Sequence, residues 1–230
     1  FRDITKNAKS NDRVLIFFAG HGETYKLPEG GEMGYLLPYD SDKDDLYFTS
    51  IPMDEFRTLS GMSSSKHLLF LIDACYGGLA SVGTRGLDTK SPNYIEKIAK
   101  DKSRQVITAG GRGERAIEKG EWGHSAFTMN LLRGLQGGRA DYNADGIITT
   151  NELYMFLKEK VTQDSENAQT PQTGRYTSHE GEFVFIYSED TTINQVSNNS
   201  NQSEDLQLIL KKLEALEAAA KLVVVENEEG

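Results

Sequence analysis

The chain has 230 residues, 37% of them apolar and 26% charged, with a net charge of −10 and a single cysteine. That suffices for one domain of about 150–200 residues plus a tail and excludes a disordered chain. The acidic balance leaves no Lys/Arg stripe for nucleic acid, and one cysteine excludes a disulfide framework or a Cys-rich zinc site. The longest apolar runs, Val14–Ala19 and Leu68–Ile72, are too short to span a bilayer, so no membrane partner is expected. A lone thiol fits a reducing compartment, which points to the cytoplasm, and no signal peptide is visible. The chain opens on Phe1 rather than Met, the mark expected of a piece of something longer.

Taken in chain order, residues 1–187 alternate strand-like and helix-like segments, the pattern of an α/β domain with a largely parallel sheet. Strands are predicted at Val14–Ala19, Tyr35–Leu37, His67–Ile72, Gln105–Ala109 and Phe183–Tyr187. Three of these are continuous apolar or β-branched runs, as strands covered on both faces should be. Helices are predicted at Met53–Leu59 behind a Ser50 cap, at Pro92–Lys100 behind Ser91, at Ser125–Leu135, and at Thr150–Val161. The last of them opens with Thr149 and Glu152 spaced as a capping box. Residues 188–205 shift to Ser, Asn, Gln and Thr, a flexible linker, and residues 206–225 carry an apolar stripe at 3- and 4-residue spacing, an amphipathic helix. Residues 188–230 hold nine acidic and three basic side chains, more than half of the net charge.

Two segments share one grammar. VLIFFAGHG is an apolar strand ending in Gly20, His21 and Gly22, and HLLFLIDACYGG is another ending in Asp73, Ala74 and Cys75. Both polar groups fall just past the carboxyl ends of strands, where open α/β sheets bind their ligands. Neighbouring strands run about 4.8 Å apart, which would bring imidazole and thiol within reach. A histidine there lowers the pKa of the thiol and later protonates the leaving amine. Each residue alone has a plainer reading, a small buried cysteine or a hydrogen-bonded surface histidine, and it is their pairing at one sheet edge that points to catalysis.

An independent motif lies at DYNADGIITTNE. Asp141, Asn143, Asp145, Gly146, Ile148 and Glu152 occupy positions 1, 3, 5, 6, 8 and 12 of an EF-hand loop. Side-chain oxygens of Asp141, Asn143, Asp145 and Glu152, with the Ile147 carbonyl between them, would suit calcium. The plainer alternative is a turn at Asp145-Gly146 followed by a capped helix.

The strand-GHG segment, GYLLPYDSD, strand-DACYGG, ITAGG at 107–111 and HSAFTMNLLRGL at 124–135 together resemble the caspase-like cysteine peptidases, on the metacaspase and bacterial side. Cys75 follows His21 by 54 positions, close to the caspase spacing of about 50. The resemblance implies a three-layer α/β/α sandwich with a mostly parallel central sheet over residues 1–187. The family's first strand would be missing from this chain, and the missing part, or a sensor domain of a longer parent chain, becomes an expected partner. It also implies a cysteine endopeptidase acting on protein substrates, with Cys75 as nucleophile, His21 as general acid/base, and the N–H groups of Gly22 and Cys75 as the oxyanion hole. Asp73 matches the metacaspase aspartate that lines the pocket for the residue before the scissile bond, which implies cleavage after Arg or Lys. Leu79–Arg104 takes the place of the cleavable caspase linker, with Arg85 and Lys90 as self-cleavage points. The chemistry itself requires no cofactor, and calcium would act as a modulator. The other reading is a catalytically silent caspase-like scaffold or a calcium-responsive interaction module. A flavodoxin-like ligand-binding domain is a third, since its phosphate-binding turn would fall before Phe1.

Overall fold

The computed structural model describes residues 3, 7–74, 94–111, 113–114, 116–186 and 223–226. Its centre is a five-stranded sheet. Strands β1 (Arg13–Ala19), β5 (His67–Asp73) and β6 (Ser103–Thr108) run parallel in its middle. Antiparallel partners flank them, β8 (Gln172–Arg175) beside β6 and β10 (Val223–Glu226) beside β1.

The unbroken apolar runs of β1 and β5 resolve into two faces because successive side chains of a strand point to opposite sides. Leu15, Phe17, Leu69 and Leu71 enter one core with Phe127, Leu131 and Leu135 of α4 (Ala126–Gln136) and Leu153, Leu157 and Val161 of α5 (Thr150–Asp164). Val14, Ile16, Phe18, Leu68, Phe70 and Ile72 enter a second core with Phe56 and Leu59 of α2 (Asp54–Met62). Helices therefore cover both faces, so the α/β domain expected from the alternation takes the sandwich form that the resemblance implied. α3 (Tyr94–Lys100) precedes β6. Among the described residues no helix is long and apolar enough to cross a membrane.

Small sheets decorate this centre. β2 (His21–Lys26), β3 (Glu32–Leu37) and β4 (Ile51–Pro52) form an antiparallel sheet, with the single helical turn α1 (Leu46–Thr49) between β3 and β4. β7 (Ile147–Thr149) pairs with β9 (Val184–Ile186).

Four expectations change. The helix expected over 206–225 gives way at its end, because Val223–Glu226 is strand β10, antiparallel to β1; 206–222 lie outside the described residues, as do Ser91, Pro92 and the linker 188–205. Ser50 does not cap α2, since Ile51 and Pro52 pair with β3 and Met53 takes the cap position without a side-chain hydrogen bond. Residues His21–Lys26 form a strand that apolar patterning could not reveal, because its sequence, HGETYK, is largely polar and exposed. The strand expected at Gln105–Ala109 starts at Ser103 instead, where buried Ser103 donates to the Gln105 side chain at 2.6 Å. The capping box does form as its spacing predicts. Thr149 accepts the Glu152 N–H, and the Glu152 carboxylate accepts the Thr149 N–H at 2.9 Å.

Candidate active site

Register aligns the strand ends that carry the two motifs. Ala19 pairs with Asp73 at the shared carboxyl end of β1 and β5, and the Gly20 N–H donates to the Asp73 carbonyl at 3.0 Å. His21 comes two residues after Ala19, and Cys75 two residues after Asp73. Cys75 itself, with Arg85 and Lys90, lies outside the described residues, which reach Ala74. His21 is exposed and opens β2, opposite Leu37 of β3. It stands at an open cleft of about 1270 Å³, walled also by Gly22, Leu37, Tyr39, Asp73, Glu118 and Ser125.

Asp73 is 3% exposed. Its Oδ2 accepts the hydroxyls of Ser125 and of Thr128, the latter at 2.6 Å. Both come from the start of α4, where Ser125 is also the N-cap and accepts the Thr128 N–H at 3.0 Å. Oδ1 is equally buried and has no partner among the described residues. Burial pushes the Asp73 carboxyl above the ordinary carboxylate range, the two hydroxyls pull it back, and the nearby Glu118 carboxylate raises it again. A buried acceptor without a donor costs free energy unless a ligand satisfies it.

Glu118 and the loop that carries it carry no sequence signal, because they lie between elements with no motif of their own. The structure ties this loop down from beneath. The fully buried Gln169 side chain donates to the Ala109 carbonyl and accepts the Ile117 N–H, both at 2.9 Å. Glu114 accepts the N–H groups of Gly111 at 2.8 Å and Thr170 at 2.7 Å. Glu118 thus meets Asp73 at the cleft by way of a braced loop.

The 141–152 loop stands apart from this cleft. Asp141 accepts the Gly146 N–H at 2.9 Å, Asn143 the Asp145 N–H at 3.0 Å, Asp145 the Ile147 N–H at 2.9 Å, and Glu152 closes the capping box. Among the described residues no group of three or more His, Cys, Asp or Glu side chains is gathered to hold a metal. Glu152 titrates above its ordinary range, chiefly through burial, with Asp145 and Asp141 adding to the shift.

His67 is buried and shares a hydrogen bond with the Asp101 carbonyl. It supports the start of β5, at the opposite end of that strand from Asp73.

No curated protein matches the chain. The sequence pattern of the caspase domain matches residues 1–180, a stretch that spans β1, the cleft, both packed helices and β8. With that match over most of its length, the chain belongs to the caspase-domain family of peptidases.

Proposed function

We propose that the protein is a cysteine endopeptidase that cuts polypeptides after Arg or Lys through a Cys75–His21 dyad. One observation carries the reading: His21 and Cys75 each follow by two residues a register pair, Ala19 and Asp73, at the end of adjacent parallel strands. Two residues of chain reach at most about 7 Å, so connectivity allows the two side chains to approach one another. In the reaction, the Cys75 sulfur attacks the scissile carbonyl carbon after its proton passes to the imidazole of His21. The N–H groups of Gly22 and Cys75 receive the developing oxyanion. His21 then gives the proton to the departing amine as the carbon–nitrogen bond breaks, and water, deprotonated by the same imidazole, releases the acyl group from sulfur.

Preference for a basic residue follows from charge. A guanidinium or ammonium entering the cleft meets two carboxylate residues at its wall, Asp73 and Glu118. An acidic side chain would meet two like charges. Self-cleavage after Arg85 or Lys90 would use the same pocket. Calcium modulation rests on the loop spacing, and it requires Glu152 to leave Thr149, because the resting loop commits its oxygens to backbone N–H groups.

Fluorogenic peptides that differ only before the scissile bond test the reading. The Arg peptide should turn over, Cys75→Ala should abolish turnover, and His21→Ala should lower it by about 10²–10⁴. Faster cleavage of the Asp peptide than of the Arg peptide, or activity that survives loss of Cys75, would overturn it. A chain that binds the Arg peptide without cutting it would instead be the silent scaffold.

A further inference from the structure

Beyond His21, the cleft runs onto a surface that the dyad and the acidic pocket do not use. Backbone pairings order the neighbourhood. Asp73 lies beside Ala19, His21 lies beside Leu37, and Pro38 and Tyr39 follow Leu37. Tyr39, Ser41 and Lys43 line the cleft on this flank. The stretch from Tyr39 to Thr49 is internally fixed. The Thr49 hydroxyl accepts the Asp42 N–H at 2.9 Å and donates to the Asp45 carbonyl at 2.6 Å, and the Ser41 hydroxyl donates to the Thr49 carbonyl at 3.0 Å.

This ordered loop holds its largest apolar side chains in solvent. Tyr39 is fully exposed, Phe48 is 82% exposed and Tyr47 69%, while no residue of α1 is buried. The Tyr47 and Phe48 rings pack edge to face against each other, with centroids 5.0 Å apart, rather than against the domain. Folding gains nothing from such a display, and contiguous exposed aromatics mark interaction surfaces. Around them stand Asp40, Asp42, Asp44 and Asp45 against the single Lys43. Aromatic faces amid carboxylates suit a segment in which basic and apolar residues mix, through cation–π contacts and charge pairing.

We propose that the Tyr39–Thr49 loop is the docking platform for the leaving-group side of the polypeptide substrate, and that it selects segments carrying basic and aromatic or aliphatic residues after the scissile bond. This rests on the peptidase reading, because Asp73 then holds the residue before that bond and His21 stands at the departing amine. The loop, on the far side of His21 along the pairings, meets whatever follows. The cleft reaches the start of this loop at Tyr39, Ser41 and Lys43. Tyr47 and Phe48 follow on the same hydrogen-bonded loop, and its charge names the occupant.

Binding to the Cys75→Ala protein tests this without turnover. Two labelled peptides are compared by fluorescence polarisation, Ala-Gly-Arg-Ser-Gly and the same peptide extended by Leu-Lys-Phe-Arg. The extension should tighten binding about tenfold. That gain should vanish when its Lys and Arg are replaced by Glu, an arm that leaves the protein untouched, and it should vanish in Tyr47→Ser/Phe48→Ser. An extension that adds no affinity, or a gain indifferent to both changes, overturns the proposal. So does a dimer of the unliganded chain that Tyr47→Ser/Phe48→Ser dissociates, since a second copy would then be the occupant. If the wild type fails to cut the Arg peptide while the extension still tightens binding, only the peptidase reading falls. If it cuts and the extension is inert, only the platform falls.

Discussion

The Thr128 hydroxyl donates to Asp73 Oδ2 at 2.6 Å, while Oδ1 of the same buried carboxylate has no partner among the described residues. The first contact fixes the carboxylate, and the second leaves half of it unsatisfied. Because burial lifts the Asp73 pKa, its ionised form costs the fold stability at neutral pH, and the cost fades as pH falls through the raised value. Asp73→Asn keeps an acceptor for Ser125 and Thr128 and removes the charge. It should therefore raise Tm at pH 7, with a gap that narrows on acidification, while turnover of Arg peptides falls by about 10²–10³. Thermal scans across pH beside fluorogenic kinetics check both halves. A lower Tm with the Arg preference kept would mean that Asp73 serves the fold alone.

Glu118 offers a milder version of the same test. Its carboxylate adds to the field at Asp73 from a loop braced by Gln169. Glu118→Gln should raise KM for Arg peptides about tenfold with a smaller change in kcat, and should leave a neutral-residue peptide's KM nearly unmoved. Gln169→Ala, by freeing the Ile117 N–H, should reproduce that KM effect in part, and Gln169→Glu, which keeps the acceptor, should restore some of it. Steady-state kinetics on paired peptides separates the outcomes.

Calcium and the capping box compete for one side chain. Glu152 accepts the Thr149 N–H and hydroxyl, both at 2.9 Å. A metal that takes the Glu152 carboxylate away from Thr149 therefore removes half of the capping box, while Thr149 Oγ1 still accepts the Glu152 N–H. If the loop takes calcium, a calorimetric titration at millimolar calcium gives heat, and Glu152→Gln, which keeps a capping acceptor but loses the bidentate carboxylate, weakens it markedly. A flat titration assigns the loop to turn and cap alone.

Legibility followed burial. The two buried strand runs, the amphipathic α4 and the capped α5 were readable because apolar period and cap chemistry are local signals. The position of His21 just past β1 was readable for the same reason, whereas Cys75 lies outside the described residues. β2 was not, because a polar, exposed strand stabilised by pairing with β3 carries no apolar pattern. Glu118 was hidden because Gln169, 51 residues later in the chain, sets its loop. Val223 ends a helical stripe in sequence, yet it pairs with Phe17 at the edge of β1 as part of a strand.

His67 should make the fold acid-sensitive. Burial first, then the Arg13 charge, lowers its pKa to about 4 from the ordinary 6.5, and its Nδ1 has no partner among the described residues. Below pH 6.5 the unfolded chain takes up a proton that the folded chain refuses until about pH 4, so this residue's contribution to stability declines across that window and is level below it. Asp73, Glu152 and Glu182, all raised by burial, pull the opposite way, so the comparison must be with a variant. His67→Gln retains a donor for the Asp101 carbonyl. The difference in Tm between wild type and variant should move in the variant's favour from pH 6.5 to pH 4, and a pH-independent difference would mean that His67 does not titrate between the two states.

The last expectation concerns the sheet edge that leads into the site. Val14–Phe17 of β1 pair with Glu226–Val223 of β10, so a short C-terminal strand covers the edge of a strand buried on both faces. Four residues make a weak strand on their own, yet without them β1 would present its free N–H and C=O groups as a template for other chains. Ending the chain after Lys221 should therefore lower Tm and produce concentration-dependent association by sedimentation. Turnover should drop as well, because His21 follows β1 by two residues and inherits its position. A synthetic peptide covering Leu222–Glu226, added in excess, should restore the monomer. A shortened chain that stays monomeric with unchanged Tm would show that β1 does not depend on β10 for its edge.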